Sequence, residues 1–250
     1  MSTIARTPPL EASEFFERYV RPCQPVIIYG ICNSSEAGAP WSIDYLRRRV
    51  GERRIPVEVP RGGHIFGDPA GDGVQYEWTT VGQFLDRMVT NPAGAVRYLA
   101  QLDLAKTFPD LLADLPRPAC LDWVYCDKTA LWIGPGNQVT PLHYDVYDNL
   151  VFMMEGRKTW TLVSPDDTDK VYPRAFPAYY YSQVDLEHPD LDTFPAFAEA
   201  NRVVVELNRG EALFVPGGWW QHVRGHGLNI AVNTMWSPPV APGMVVAAAA

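Results

Sequence analysis

The texture of apolar and polar positions changes along this chain, and the change divides it. In the first hundred residues helical spacing alternates with short apolar runs. SEFFERYV (13–20) has the three-to-four spacing of a one-sided helix, with Glu11 or Ser13 near its start. PVIIYG (25–30) reads as a buried strand closed by Gly30. WSIDYLRRRV (41–50) and TTVGQFLDRMV (79–89) read as capped helices, with Ser42 and then Thr79 or Thr80 as the caps. VRYLAQLDL (96–104) follows as a strand.

From about Asp122 the texture changes to short β-rich runs. ALWIG, NLVFMMEG, KTWTLVS, RVVVELN, EALFVP, WWQHV and LNIAVNTMW are β-rich runs, separated by the turn signals GPGN, SPDD, NRG, PGG and GHG. Many short strands with Gly/Pro turns predict a mainly β jelly roll or barrel. The stretch 172–201 is long, aromatic, Pro-rich and aperiodic; such an insert in a β scaffold is more often functional than idle. No internal repeat is visible. The reading is one domain: an N-terminal α/β elaboration (1–97), a β core (98–240) with short flanking helices, and a low-complexity tail (241–250) ending VVAAAA.

Composition narrows the function. The 250 residues are 47% hydrophobic, enough for a large core, and the net charge is −8. That balance argues against nucleic acid as a partner, because phosphate binding needs clustered Lys and Arg. The one dense basic run, Arg47 to Arg49 with Arg53 and Arg54 behind it, reads as a solvated helix face. The four cysteines, Cys23, Cys32, Cys120 and Cys126, form no CxxC pair and read as reduced thiols of a cytoplasmic protein. The N-terminus lacks the apolar core of a secretion signal, and no run reaches the ~20 apolar residues of a membrane span.

The chemistry gathers around TPLHYDVYDN (140–149). Residues two apart on a strand point to the same side, so His143 and Asp145 project together. Alone, such a pair is usually a polar strand end. An iron site that handles oxygen needs two histidines and one carboxylate on one face, with positions left open. Of the other histidines, His64 sits in a glycine-rich loop, His188 in the aperiodic insert, and His226 between two glycines where a turn is expected. His222, after a Pro/Gly turn, is the best-placed third ligand, with His226 as its rival. Lys158 shares a period-two face with Trp160 and Leu162, which points it inward. A buried ammonium needs a partner, and a carboxylate of a dicarboxylic 2-oxo acid would supply one; the plain alternative is a snorkelling surface lysine. Thr140 and Tyr98 offer hydroxyls to the same carboxylate.

NQVTPLHYDVYDNLVFMMEGRKTWTLVSPDD, SQVDLEHPDLDTFPAF and GEALFVPGGWWQHV together resemble the JmjC (cupin-like) Fe(II)/2-oxoglutarate-dependent oxygenases. The likeness runs from about Tyr98 to Trp236, and is nearest to the small JmjC hydroxylases such as the asparaginyl hydroxylase of hypoxia-inducible factor. It implies a double-stranded β-helix and the cofactors Fe(II), 2-oxoglutarate and O2. It implies iron on His143, Asp145 and His222, and 2-oxoglutarate on Lys158 with Thr140 and Tyr98. Asn149 and Asn233 would line the cosubstrate pocket. The expected reaction is hydroxylation of an unactivated C–H bond, with release of succinate and CO2. The substrate would be a peptide or protein side chain, or alternatively a small amino-acid-derived metabolite. Lysine demethylation and a non-catalytic binding role rank lower. The segment PAYYYSQ lacks the polar and basic residues that hold an asparagine substrate, so the substrate does not carry over. The helical dimerisation region of the nearest relatives has no counterpart, so a monomer or weak homodimer is expected. Tyr144, Tyr147, Trp219, Trp220 and Trp236 are candidates for the pocket wall, though each also suits plain core packing.

Overall fold

The computed structural model describes residues 3–34, 41–59, 75–91, 97–121 and 126–237. His64 and the tail from 241 onward lie outside them.

The N-terminal elements form where the periodicity places them. Helix α1 (Ala12–Phe15) runs on into a π-helical turn, Phe16–Val20, and buries Phe15, Tyr19 and Val20. In α2 (Ile43–Val50) the Ser42 hydroxyl accepts from the Tyr45 amide. In α3 (Val81–Thr90) Thr80 and Gln83 form a reciprocal capping box. Arg47 and Arg49 of the basic run pair with carboxylates of this same chain, Asp44, Asp86 and Asp114. Strands β1 (Ala5–Thr7) and β2 (Val26–Ile28) pair in parallel, and β3 (Arg54–Val59) and β4 (Gln75–Thr80) form a separate hairpin sheet. Strand β5 (Leu99–Asp103) is followed by two one-turn helices, α4 (Leu104–Thr107) and α5 (Pro109–Leu112).

The remaining strands build the jelly roll: β6 (Lys128–Gly134), β7 (Val139–Tyr144), β8 (Asp148–Val163), β9 (Arg202–Asn208), β10 (Ala212–Val215) and β11 (Trp220–Trp236). Two of them are much longer than their sequence runs suggest. NLVFMMEG and KTWTLVS are one strand, β8; WWQHV and LNIAVNTMW are one strand, β11. GHG lies inside β11 as an irregularity in its pairing, not as a turn between strands. SPDD opens a short helix, Pro165–Val171, where a turn was expected.

The long strands pair antiparallel from Asp148 opposite Trp236 to Val163 opposite Trp220. The first half of β8 also pairs with β10 and the second half with β9. Likewise β11 pairs first with β7 and then with β6. Each long strand therefore has two successive partners along one edge and bends where they change. The bend falls at Gly156, whose φ of +72° favours glycine and where a Cβ would run into the Leu228 carbonyl oxygen.

Three buried clusters result. The largest packs the N-terminal helices and β2 against β6, β8, β10 and β11, with Phe15, Trp41, Phe84 and Phe214 in it. A second lies within the roll around Met153, Trp160, Leu162 and Leu213. A third lies under the insert, where Val184 and Phe197 cover Leu142, Val163 and Trp220. All four cysteines are free thiols. Among the described residues no helix is long and apolar enough to cross a membrane.

Candidate active site

A cavity opens among β7, β8 and β11, and strand parity decides what lines it. Lys158 and Trp160 alternate inward along β8, and their cross-strand neighbours on β11 are Gly225 and Val223. Directly opposed residues of an antiparallel pair share a face. Gln221, two residues back from Val223, therefore points into the cavity as well, and it sits opposite His143 of β7.

Lys158 is 3% exposed, and its Nζ donates to the Tyr98 hydroxyl at 3.0 Å. The ammonium also lies over the Tyr98 and Trp132 rings, 5.4 and 5.8 Å from their centroids. Burial lowers its pKa from the ordinary lysine value to about 7. Among the described residues no carboxylate pairs with it. Behind it runs a chain of hydrogen bonds: Trp132 Nε1 donates to Asn233 Oδ1 at 2.6 Å, and Asn233 Nδ2 donates to Asn149 Oδ1 at 2.9 Å. Both asparagines line the cavity and are buried.

Thr140 lines the cavity beside His143, although the two are three positions apart. The pairing explains this. Gln221 and Val223 are two apart on β11, while their partners His143 and Thr140 are three apart on β7. The extra residue is a bulge, and it brings both side chains to one face.

His143 Nδ1 lies 2.7 Å from the Pro141 carbonyl oxygen, to which it donates, leaving Nε2 as a lone pair aimed elsewhere. Tyr181 of the insert stacks on the ring at 5.6 Å, and its backbone bridges to His143. Asp145 stands one residue beyond the end of β7, with Oδ2 4.0 Å from His143 Nε2. That separation lets one metal ion touch both. Gln221 Nε2 donates to the same Asp145 oxygen at 2.8 Å.

His222 is elsewhere. It opposes Thr161 and belongs to the alternate row of β11, facing the insert. It is 4% exposed, and burial depresses its pKa to about 4, with the Asp185 carboxylate opposing and His143 reinforcing that fall. Its Nε2 lies 3.2 Å from Glu187 Oε1, off the angle of a hydrogen bond. Glu187 itself is tied to Arg224. His226, the rival, occupies the same outer row and contacts Thr159 Oγ1 at 2.7 Å. His188 is exposed beside Asp185. Neither histidine of β11 shares the face of His143, because regular pairing with β8 from Trp220 to His226 fixes their parity. Among the described residues no three His, Cys, Asp or Glu side chains converge as a metal site. The residues present thus fit a metal at two positions, His143 and Asp145, with a carboxamide at the third.

The proposed aromatic wall also differs. Trp220 is fully buried under the insert, where Tyr144 packs edge-on against it, and Trp236 stacks on Phe214. Trp219 packs at the margin of the inner cluster and Tyr147 is exposed. The aromatics that do line the cavity, besides Tyr98, are Trp132 and Trp160.

A cupin-like domain model matches residues 12–241. The chain belongs to the cupin-like family, in its JmjC branch. A lysine-specific demethylase 8 from Danio rerio is 38% identical over 235 residues, 89% of this chain and 55% of that protein. Its Xenopus tropicalis namesake is 32% identical over 232 residues, 89% of this chain and 50% of that protein. The lysine-specific demethylase JMJ30 of Arabidopsis thaliana is 31% identical over 237 residues, 91% of this chain and 53% of that protein. This chain spans about half the length of these curated relatives.

Proposed function

We propose that this chain is an Fe(II)- and 2-oxoglutarate-dependent oxygenase that hydroxylates a C–H bond of a peptide or protein side chain. The observation that carries the reading is Lys158. A buried ammonium that pairs with no carboxylate among the described residues, in the wall of a cavity also lined by Trp132, Val151 and Trp160, is matched by the distal carboxylate of a dicarboxylic 2-oxo acid. Tyr98 and Thr140 supply hydroxyls in the same cavity, and the Asn149–Asn233 pair stiffens its wall.

His143 and Asp145 would hold the iron, with Gln221 next to them. Bound iron would supply the oxygen activation that couples decarboxylation of the 2-oxo acid to oxidation of a C–H bond. The chain's own groups do the positioning. The Pro141 carbonyl fixes the His143 tautomer, and Gln221 orients the Asp145 carboxylate. Val151, Trp160 and Val223 keep water from the cosubstrate. Phe176, Tyr179 and Tyr180 of the insert are exposed next to Tyr181, which supports an extended chain as substrate.

The names of the relatives favour a second reading, removal of a methyl group from lysine. Both readings begin with the same C–H hydroxylation and differ in the product. Incubating the protein with Fe(II), 2-oxoglutarate and peptide panels, unmodified and methylated, separates them by mass. Hydroxylation adds 16 Da, and demethylation removes 14 Da with release of formaldehyde. Absence of both succinate release and 2-oxoglutarate binding would sink the oxygenase reading.

A further inference from the structure

We infer that Gln221, not a histidine, fills the third ligand position of this cavity, and that the metal site is consequently completed by the 2-oxo acid rather than by the protein. The inference deepens the proposed function and rests on its reading of the cavity. Three observations carry it. Gln221 is the residue directly opposite His143 on the neighbouring strand. Its amide is 2.8 Å from the Asp145 carboxylate, so all three side chains converge. His222 and His226 lie in the opposite row of β11, opposite Thr161 and Arg157, and His226 contacts Thr159.

A carboxamide at this position changes the chemistry. It carries no charge, and its oxygen is a harder, weaker donor to iron than an imidazole nitrogen. As it stands, the amide nitrogen is spent on Asp145, which makes Gln221 a positioning residue for that carboxylate. The protein then offers two strong donors where the oxygenase pattern offers three. The missing affinity has to come from the chelating oxo-carboxylate of the cosubstrate. Metal and 2-oxo acid should each raise the other's affinity by the same factor, since coupling between two sites is reciprocal.

The test is calorimetric titration of the full chain with Mn(II), with and without saturating 2-oxoglutarate. Wild type, Gln221→His, Gln221→Glu and His222→Asn are compared, and circular dichroism confirms that each is folded. Wild type should bind Mn(II) weakly alone and at least about tenfold more tightly with 2-oxoglutarate. Gln221→His should bind Mn(II) alone about tenfold or more tighter than wild type, and Gln221→Glu, which restores a strong donor without added bulk, should move the same way. His222→Asn should titrate like wild type. The inference is overturned if folded Gln221→His and Gln221→Glu bind Mn(II) no tighter than wild type, or if His222→Asn loses the metal. A failure of the proposed function looks different: 2-oxoglutarate would bind no wild-type protein, or would bind with the metal and never yield succinate.

Discussion

Replacing Lys158 by methionine tests the cavity through stability, without any turnover. The ammonium is 3% exposed, and burial lowers its pKa from 10.5 to about 7. A fall of about 3.5 in pKa corresponds to about 5 kcal/mol of cost for holding the charge inside the fold, most of which is still felt at neutral pH. Methionine fills a similar volume and removes that cost. It also removes the hydrogen bond to Tyr98, a loss of about 1–2 kcal/mol. The ligand-free variant should therefore be more stable than wild type by about 2 kcal/mol, which is about 4–8 °C in melting temperature for a chain of this size. Between about pH 7 and 10.5 the unfolded wild-type chain holds a proton on this lysine that the folded chain has released. Wild-type stability therefore gains with rising pH across that window, and the gap to the variant closes. 2-Oxoglutarate should reverse the order near pH 7: at a hundred times its dissociation constant it adds about 2.7 kcal/mol to wild type and nothing to the variant. Thermal melts at pH 7 and pH 9.5, with and without 2-oxoglutarate, read all of this. A ligand-free variant less stable than wild type at pH 7, or a gap that does not change with pH, would refute the reasoning.

Tyr98→Phe keeps the ring beneath the ammonium but removes the hydroxyl, so 2-oxoglutarate affinity should fall about tenfold in a calorimetric titration, the worth of one charge-assisted hydrogen bond. Gly156→Ala should lower the urea midpoint by more than about 2 kcal/mol in stability, because φ is +72° and the added methyl meets the Leu228 carbonyl at the bend of β8. Asp167→Ala should loosen the base of the insert. Its carboxylate accepts from the Asn201 backbone and side-chain amides at 2.8 and 3.0 Å and pairs with Lys170 at 2.7 Å. About 2–3 kcal/mol and a faster proteolytic cut within 172–201 are expected.

What could be read from the sequence was whatever a period or a charge announces. Short β-rich runs between Gly/Pro turns gave the strands of the roll, and side-chain oxygens ahead of apolar runs gave the caps at Ser42 and Thr80. Lys158 stood out as a charge on an apolar face, and it is buried in the cavity wall. Continuity was hidden. Glycines at 156 and at 225 and 227 look like turns in sequence, yet they lie within β8 and β11, where each long strand changes partner. The bulge that turns Thr140 toward His143 leaves no sequence signal, because it belongs to the pairing of two strands. Trp160 served only to set the face of Lys158, and Trp132 carried no signal of its own. Gln221 carries no charge, and a histidine beside it draws the eye.

That last difference turns on one residue of parity in β11, and its neighbours fix the parity. The outer row holds Trp220, His222 and Arg224; the inner row holds Gln221, Val223 and Gly225. A slip of one residue would exchange the rows entirely and bring His222 into the cavity. It would also pull the fully buried Trp220 out of its cluster with Leu142 and Phe197. Arg224 would be driven into the apolar interior opposite Trp160, away from Glu187, with a guanidinium left unpaired. Val223 would lose its place beside Trp160 in the inner cluster. Each of these costs acts against the slipped register, and none depends on what binds in the cavity. The position of His222 is thus set by the tryptophan before it and the arginine after it, and the cavity receives the glutamine between.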